Sequence, residues 1–225
     1  MGDKKEMSGK IEELKKRNER MQEELEQTIA FYEVWKSFVN ASEVKTAMEN
    51  HGRAILAFNV VQTALLREVV IGLTKIWDKS KGTIKMAKFK EELRNGELVD
   101  CIAKLRLGRI DTVDGQGLRK LMGPHMNAVE MGIRAKICEV VSGVEAYEDG
   151  NEGKELKKIR DGFIAHRNMA CEFAQLSDVG ILKKCIEETV AIAKNIESVL
   201  NRVSFDFSTT AYKYEDAAND FWSTF

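Results

Sequence analysis

Apolar residues recur along this chain at spacings of three and four, the period of a helix that buries one face. The first such stripe runs Ile11, Leu14, Asn18, Met21, Leu25, Thr28, Tyr32 and Trp35. It has the form of a heptad seam with a polar residue, Asn18, at an a-type position. Two arrangements fit it equally: a helix paired with a second chain, with Asn18 setting the register, or an amphipathic helix lying on its own bundle. Ser8 is a plausible cap for this helix, and at Asn50-His51-Gly52 it either breaks or runs on through. The next stripe, over 53–78, is apolar nearly all round, through Phe58, Val61, Leu65, Val69, Leu73 and Ile76, and predicts a helix buried on several sides. Its Arg67 and Glu68 must then be paired or reach an edge. Asp78 ends it.

Shorter amphipathic helices are predicted at 84–94 and 96–107. A connection rich in glycine (Gly108, Gly115, Gly117, Gly123) leads to Pro124, which suits the first turn of a helix over 125–147. Residues 148–153 read as a turn, 154–168 as a helix, and 178–202 as a last long helix. Ser208 is the expected cap of a short terminal helix whose Trp222 needs a surface to cover it. No stretch alternates long enough to predict a strand. The expected fold is all-α: an antiparallel helical bundle with helical insertions and a long N-terminal helix. Its predicted divisions are a charged helix over 1–28 that projects or frays, a bundle over 29–204, and an aromatic tail over 205–225.

Composition supports this. One proline in 225 residues favours long helices, and 44% hydrophobic with 32% charged residues reads as globular. A net charge of -1 argues against a surface coated in positive charge, so any nucleic-acid contact would be a local basic patch. The four cysteines, Cys101, Cys138, Cys171 and Cys185, lack metal-ligand or disulfide-framework spacing and read as reduced thiols of a cytoplasmic protein. The N-terminus, charged from Asp3 onward, predicts no signal peptide, and Arg67, Glu68 and Lys75 argue against a membrane span at 54–77. Asp111, Asp114 and Gly115 lack the closing acid of a calcium loop, and Gly115-Gln116-Gly117 follows no strand. No metal or cofactor is expected. His51 reads as a surface group and His125 as a helix-boundary residue.

Candidate chemistry gathers at one place, Lys157-Lys158-Ile159-Arg160-Asp161-Gly162-Phe163-Ile164-Ala165-His166-Arg167-Asn168. Leu156, Ile159, Phe163 and His166 share a helical face, with Arg160 at its edge. Arg160, Asp161 and His166 resemble the Arg-x(4–6)-His signature of the HEPN superfamily. The wider wording, with "VVIGLTKIWD" far upstream of "IRDGFIAHRN", resembles its abortive-infection U-type branch over about residues 30–200. The resemblance implies an endoribonuclease acting as a homodimer, in an abortive-infection or toxin–antitoxin setting, with a cognate antitoxin protein as a further partner to look for.

RNA carries its own nucleophile, the 2′-hydroxyl, so cleavage without metal needs a base, an acid and a cation for the phosphorane. A histidine does the proton work near neutral pH, typically worth ~10²–10⁴-fold. Arginine matches the non-bridging oxygens with its planar fork. His166 is therefore the expected general acid/base and Arg160 the expected phosphate group. Six residues along a straight helix turn through about 600°, which leaves the two side chains diverging by roughly 120°. Either the helix ends or distorts, which Gly162 allows, or two copies face each other across a two-fold axis. The resemblance implies the second, with Lys154, Lys157, Lys158 and Arg167 lining the cleft as an RNA-binding patch. By the same analogy Asp161 orients Arg160 or His166, and Asn168 is a hydrogen-bonding neighbour. Asn168 stands where some HEPN toxins carry a modifiable Tyr, which puts that mode of neutralisation in doubt. The alternative function is a non-catalytic helical module for dimerisation or partner binding.

Overall fold

A computed structural model of the chain describes residues 2–40, 46, 54–78, 84–111, 126–162, 179–201 and 205–223. Among these there are eight helices and no strand: α1 Gly2–Asn40, α2 Ala54–Trp77, α3 Met86–Leu93, α4 Gly96–Asp111, α5 Met126–Asp149, α6 Asn151–Arg160, α7 Val179–Leu200 and α8 Phe207–Trp222. The all-α bundle expected from the apolar spacing is the fold observed.

The bundle is built around α1, which packs against α2, α4, α7 and α8. Every residue of its seam is buried, from Ile11 through Trp35, and Met7 extends the covered stripe one turn earlier. The cover comes from this chain's own helices. Lys75 of α2 pairs with Glu24 at 2.9 Å and Gly72 lies against Thr28, so α1 and α2 run antiparallel. Glu197 of α7 meets Asn18 and Gln22, and its carboxylate accepts from Gln22 Nε2 at 2.7 Å. Of the two arrangements the seam allowed, the second is the one observed for these residues. Ser8 lies inside α1, so it does not cap it.

The expectation that α2 is buried on several sides holds for only half of it. Leu66, Val69, Val70, Leu73 and Ile76 are fully buried, whereas Leu56 and Val60 in the first half are 66% and 67% exposed. The apolar run is thus a core helix at its C-terminal end and an open face at its N-terminal end. By length and composition Ile55–Trp77 also suffices to cross a membrane. Arg67 and Glu68 are exposed at the helix edge.

The terminal helix is longer than the sequence suggested. Asp206 caps it, accepting from Ser208 N at 3.0 Å, so the cap falls two residues before the expected one. α8 lies along α1, joined by the Lys36–Glu215 pair at 3.0 Å. Trp222 is covered by Phe58 of α2, edge to face with ring centres 6.1 Å apart.

The second layer centres on α5, which packs on α3, α4, α6 and α7. The turn expected over 148–153 shrinks to Gly150: α5 ends at Asp149 and α6 begins at Asn151. A β-carbon at Gly153 would lie 2.4 Å from the carbonyl oxygen of Tyr147, so this tight corner admits only glycine there. The corner turns α6 back across the ends of α2 and α7, and this placement makes the site.

Candidate active site

α6 carries an apolar edge, Leu156 buried and Ile159 half-buried, and an outer face bearing Lys154, Lys157 and Lys158. Its last turn holds Lys157, Lys158 and Arg160, cations where the negative end of the helix dipole favours them. The helix expected over 154–168 begins earlier, at Asn151. Beyond Arg160 it widens into a π-type turn at Asp161 and Gly162, where the sequence allowed a distortion; 163–168 lie outside the described residues. Such single-turn distortions are frequent at functional sites. His166, Arg167 and Asn168 lie outside the described residues, as do Phe163, His51, His125 and Cys171.

Arg160 is held on two sides. Its Nε donates to Asp161 Oδ1 at 2.8 Å and its Nη2 lies 2.7 Å from the same oxygen. Its Nη1 donates to Asp78 Oδ2 at 3.2 Å, across 82 residues of chain. The side chain is 28% exposed, so the guanidinium is neither free in solvent nor sealed in the core. A guanidinium has five N–H donors in a plane, and these three contacts fix that plane.

Arg160 forms part of the wall of a cavity of about 480 Å³. The other walls are Thr74, Trp77 and Asp78 from the end of α2, Tyr147, Glu148 and Asp149 from the end of α5, and Gly153, Leu156 and Lys157 from α6. Of the predicted site residues, Arg160 and Lys157 are brought to this cavity, with Asp161 behind Arg160. Lys154 and Lys158 are exposed on α6 but are not among its walls, and Lys158 pairs with Glu155 at 2.6 Å. The expected basic character is therefore a property of the outer face of α6. The cavity wall itself combines two cations with the carboxylates of Asp78, Glu148 and Asp149, and Glu148 is paired with Lys90.

The floor is rigid. The Trp77 indole stacks on the Tyr147 ring at 3.7 Å between centres and 14° between planes, and its Nε1 donates to Thr189 Oγ1 at 2.9 Å. The Thr189 hydroxyl in turn donates to the Cys185 carbonyl at 2.6 Å. Burial, with the neighbouring Cys185, pushes the Tyr147 hydroxyl well above its usual range. Burial likewise raises the Cys185 thiol to about 11. Both stay neutral near pH 7, so the charge at the site is carried by Arg160, Lys157 and the carboxylates. Among the described residues no three His, Cys, Asp or Glu side chains are grouped as a metal site would need.

Residues 11–221 match the family described as HEPN_AbiU2, AbiU2. The chain belongs to that family. The match covers nearly the whole sequence, wider than the 30–200 over which the wording of the signature suggested it, and takes in α8 as part of the family's extent. No curated protein and no solved structure matches the chain. As a HEPN protein of the AbiU2 type it carries the Arg-x5-His spacing in its sequence, with the Arg at the end of α6 where the helix turns π-type.

Trp77, Asp78 and Tyr147 join the site although the sequence reading gives none of them a role there; Trp77 and Asp78 enter it only as the end of "VVIGLTKIWD". Asp78 had read as a helix terminator. The available signal was its position: a carboxylate at a helix C-terminus faces the negative end of the dipole, an arrangement that calls for a nearby cation.

Proposed function

We propose that this AbiU2 protein is an endoribonuclease that cuts RNA by attack of the 2′-hydroxyl on the adjacent phosphate. Arg160 holds the non-bridging oxygens and stabilises the charge that develops on them. His166 moves the protons, taking one from the 2′-hydroxyl or giving one to the leaving 5′-oxygen. The observation that carries this reading is Arg160 itself: a guanidinium held by two carboxylates at the wall of an open cavity, where α6 passes into a π-type turn. Lys154, Lys157 and Lys158 along α6, together with Arg167, guide the phosphate backbone toward it, and Asn168 assists as a hydrogen-bonding neighbour. The active unit is a homodimer with the two signature helices facing one cleft. The setting is abortive infection or a toxin–antitoxin pair in the cytoplasm, with a cognate antitoxin protein as partner.

One observation favours the other reading, a non-catalytic helical module that binds a partner. Two carboxylates hold Arg160, as they would in an inert bundle. An assay separates the two. Purified wild type incubated with cellular RNA, with and without chelator, cleaves it in both, and expression slows growth. His166→Ala and Arg160→Ala fold as the wild type does and leave RNA intact. Equal behaviour of folded wild type and both variants on RNA ends the ribonuclease reading. A solution mass of one chain for the active protein ends the composite site.

A further inference from the structure

The end of α2 bears an acid where helix electrostatics disfavour one. Asp78 follows Trp77, the last residue of α2, and its backbone N–H donates to the Thr74 carbonyl at 2.7 Å, so it still belongs to the helix terminus. Its carboxylate therefore faces the partial negative charge of the carbonyls that end α2. Arg160, at the end of α6, faces the same kind of terminus. The two helix ends converge on a single guanidinium, which Asp78 holds from the Nη1 side and Asp161 from the Nε side.

The two carboxylates are not equivalent. Asp161 is adjacent to Arg160 in the chain and moves with it. Asp78 comes from a different helix, and that helix end is pinned: Trp77 is stacked on Tyr147 and bonded through Nε1 to Thr189 of α7. Among the described residues, the contact to Asp78 is the one that ties the guanidinium to a different helix, and both residues line the same cavity. An arginine held by Asp161 alone would keep its charge but would be free to swing with the π-type turn. One held also by Asp78 has its plane set relative to the cavity wall.

We propose that Asp78 is a positioning residue for Arg160, fixing the guanidinium plane so that its remaining N–H groups point at a phosphate entering the cavity. The proposal rests on the ribonuclease reading above. Asp78 makes no contact with the reacting atoms; its effect is on geometry, and misplacement of a transition-state donor by about an ångström can cost on the order of 10²-fold in rate. Loss of Asp78 therefore lowers kcat far more than it raises KM, because charge and binding surface at the site are otherwise kept.

The test uses the full chain and a fluorescent single-stranded RNA of mixed sequence. Wild type, Asp78→Asn, Asp78→Glu and a control, Asp100→Asn, are compared for kcat, KM, pH–rate profile and melting temperature. The control removes a surface ion pair with Arg134 at 2.5 Å, away from the cavity. Asp78→Asn is expected to lose about 10–100-fold in kcat with KM and the pH profile little changed, as for a displaced transition-state donor. Asp78→Glu recovers part of that loss, and Asp100→Asn keeps wild-type rates. Wild-type kcat in Asp78→Asn overturns the positioning role while leaving the ribonuclease reading standing. So does a loss confined to KM, or a glutamate that recovers nothing. A wild type that cleaves no RNA overturns both.

Discussion

Asn18, near the middle of α1, donates its side-chain amide to the carboxylate of Glu197 in α7, and both residues are buried. The same Glu197 oxygen accepts from Gln22 Nε2 at 2.7 Å and from Asn201 Nδ2 at 3.1 Å. Three amides, two from α1 and one from the turn that ends α7, thus converge on one carboxylate of the bundle. Such a polar knot costs desolvation but favours one register of α1 on α7, because a slip of α1 would pull Asn18 or Gln22 off the carboxylate and leave a buried amide unpaired.

Breaking the knot from the acid side should therefore hurt most. Glu197→Leu removes the acceptor of three amides and is expected to cost about 2–4 kcal/mol, the scale of several buried donors left unpaired. Asn18→Leu removes one donor of three and should cost less, about 1–2 kcal/mol. Urea melts measure both. Solution mass is expected to be unchanged by Asn18→Leu, since its partner lies in the same chain. A change of assembly with this variant would return Asn18 to the interchain role that its heptad position suggested.

How far the sequence reached is visible in this residue. The stripe Ile11 to Trp35 was legible, and so was the polar exception in it, because periodicity reports which face is covered. It does not report by what, and the partner carboxylate lies 179 residues away. The same limit hid the site. Arg160 stood out by its spacing to His166, whereas Asp78 read only as a stop at the end of a helix. Its meaning depends on how α6 turns at Gly150 and Gly153, which is a matter of packing. The apolar α2 was over-read for a related reason: hydrophobic composition marked the whole helix as core, yet only the turns facing α1 and α6 are covered.

A close helix crossing gives a second prediction. At Gly72 of α2 a β-carbon would lie 2.1 Å from the hydroxyl oxygen of Thr28, which is buried and donates to the Glu24 carbonyl at 2.7 Å. Alanine at this position would ordinarily stabilise a helix by about 1 kcal/mol. Here the added methyl must push α2 off α1, and overpacking of this kind costs about 1–3 kcal/mol. Gly72→Ala should be destabilising in thermal melts. Adding Thr28→Ala should restore part of the loss, so the double variant is more stable than the sum of the singles predicts.

The buried acids that stay neutral set an alkaline limit. Burial raises the Cys185 thiol from its ordinary 9.0 to about 11 and the Tyr32 hydroxyl from 10.0 to about 12, and raises Tyr147 further still. An acid with a raised folded pKa holds its proton in the folded state after the unfolded chain has lost it. Stability is then complete below the unfolded value and falls as pH rises toward the folded one. Unfolding midpoints should be flat with respect to these groups below pH 9 and drop between about pH 9 and 12. A mid-range stability that rises through this window would contradict the buried, protonated assignment. Thiol labelling checks it separately: at pH 8 the exposed Cys138 should react with a maleimide well before Cys185 in the folded protein.

The cavity floor supports the last prediction. Trp77 ties three helices together, being part of α2, stacked on Tyr147 of α5 and bonded to Thr189 of α7. Trp77→Phe keeps an aromatic face on Tyr147 but loses the indole donor, leaving the Thr189 hydroxyl with its bond to Cys185 alone. It should cost about 1 kcal/mol, the net worth of one hydrogen bond. Trp77→Ala removes the whole stacked surface and should cost about 3–5 kcal/mol, as for large aromatic truncations in cores. The two variants also separate the floor's structural role from its effect on the wall above it. Because Trp77 precedes Asp78, a floor that only filled space would leave the Asp78–Arg160 contact intact even in Trp77→Ala. The protection of the Arg160 guanidinium N–H signals by NMR reports that contact directly. It should persist in Trp77→Phe and collapse in Trp77→Ala at temperatures where that variant is still folded, because α2 then loses the anchor that aims its last carboxylate.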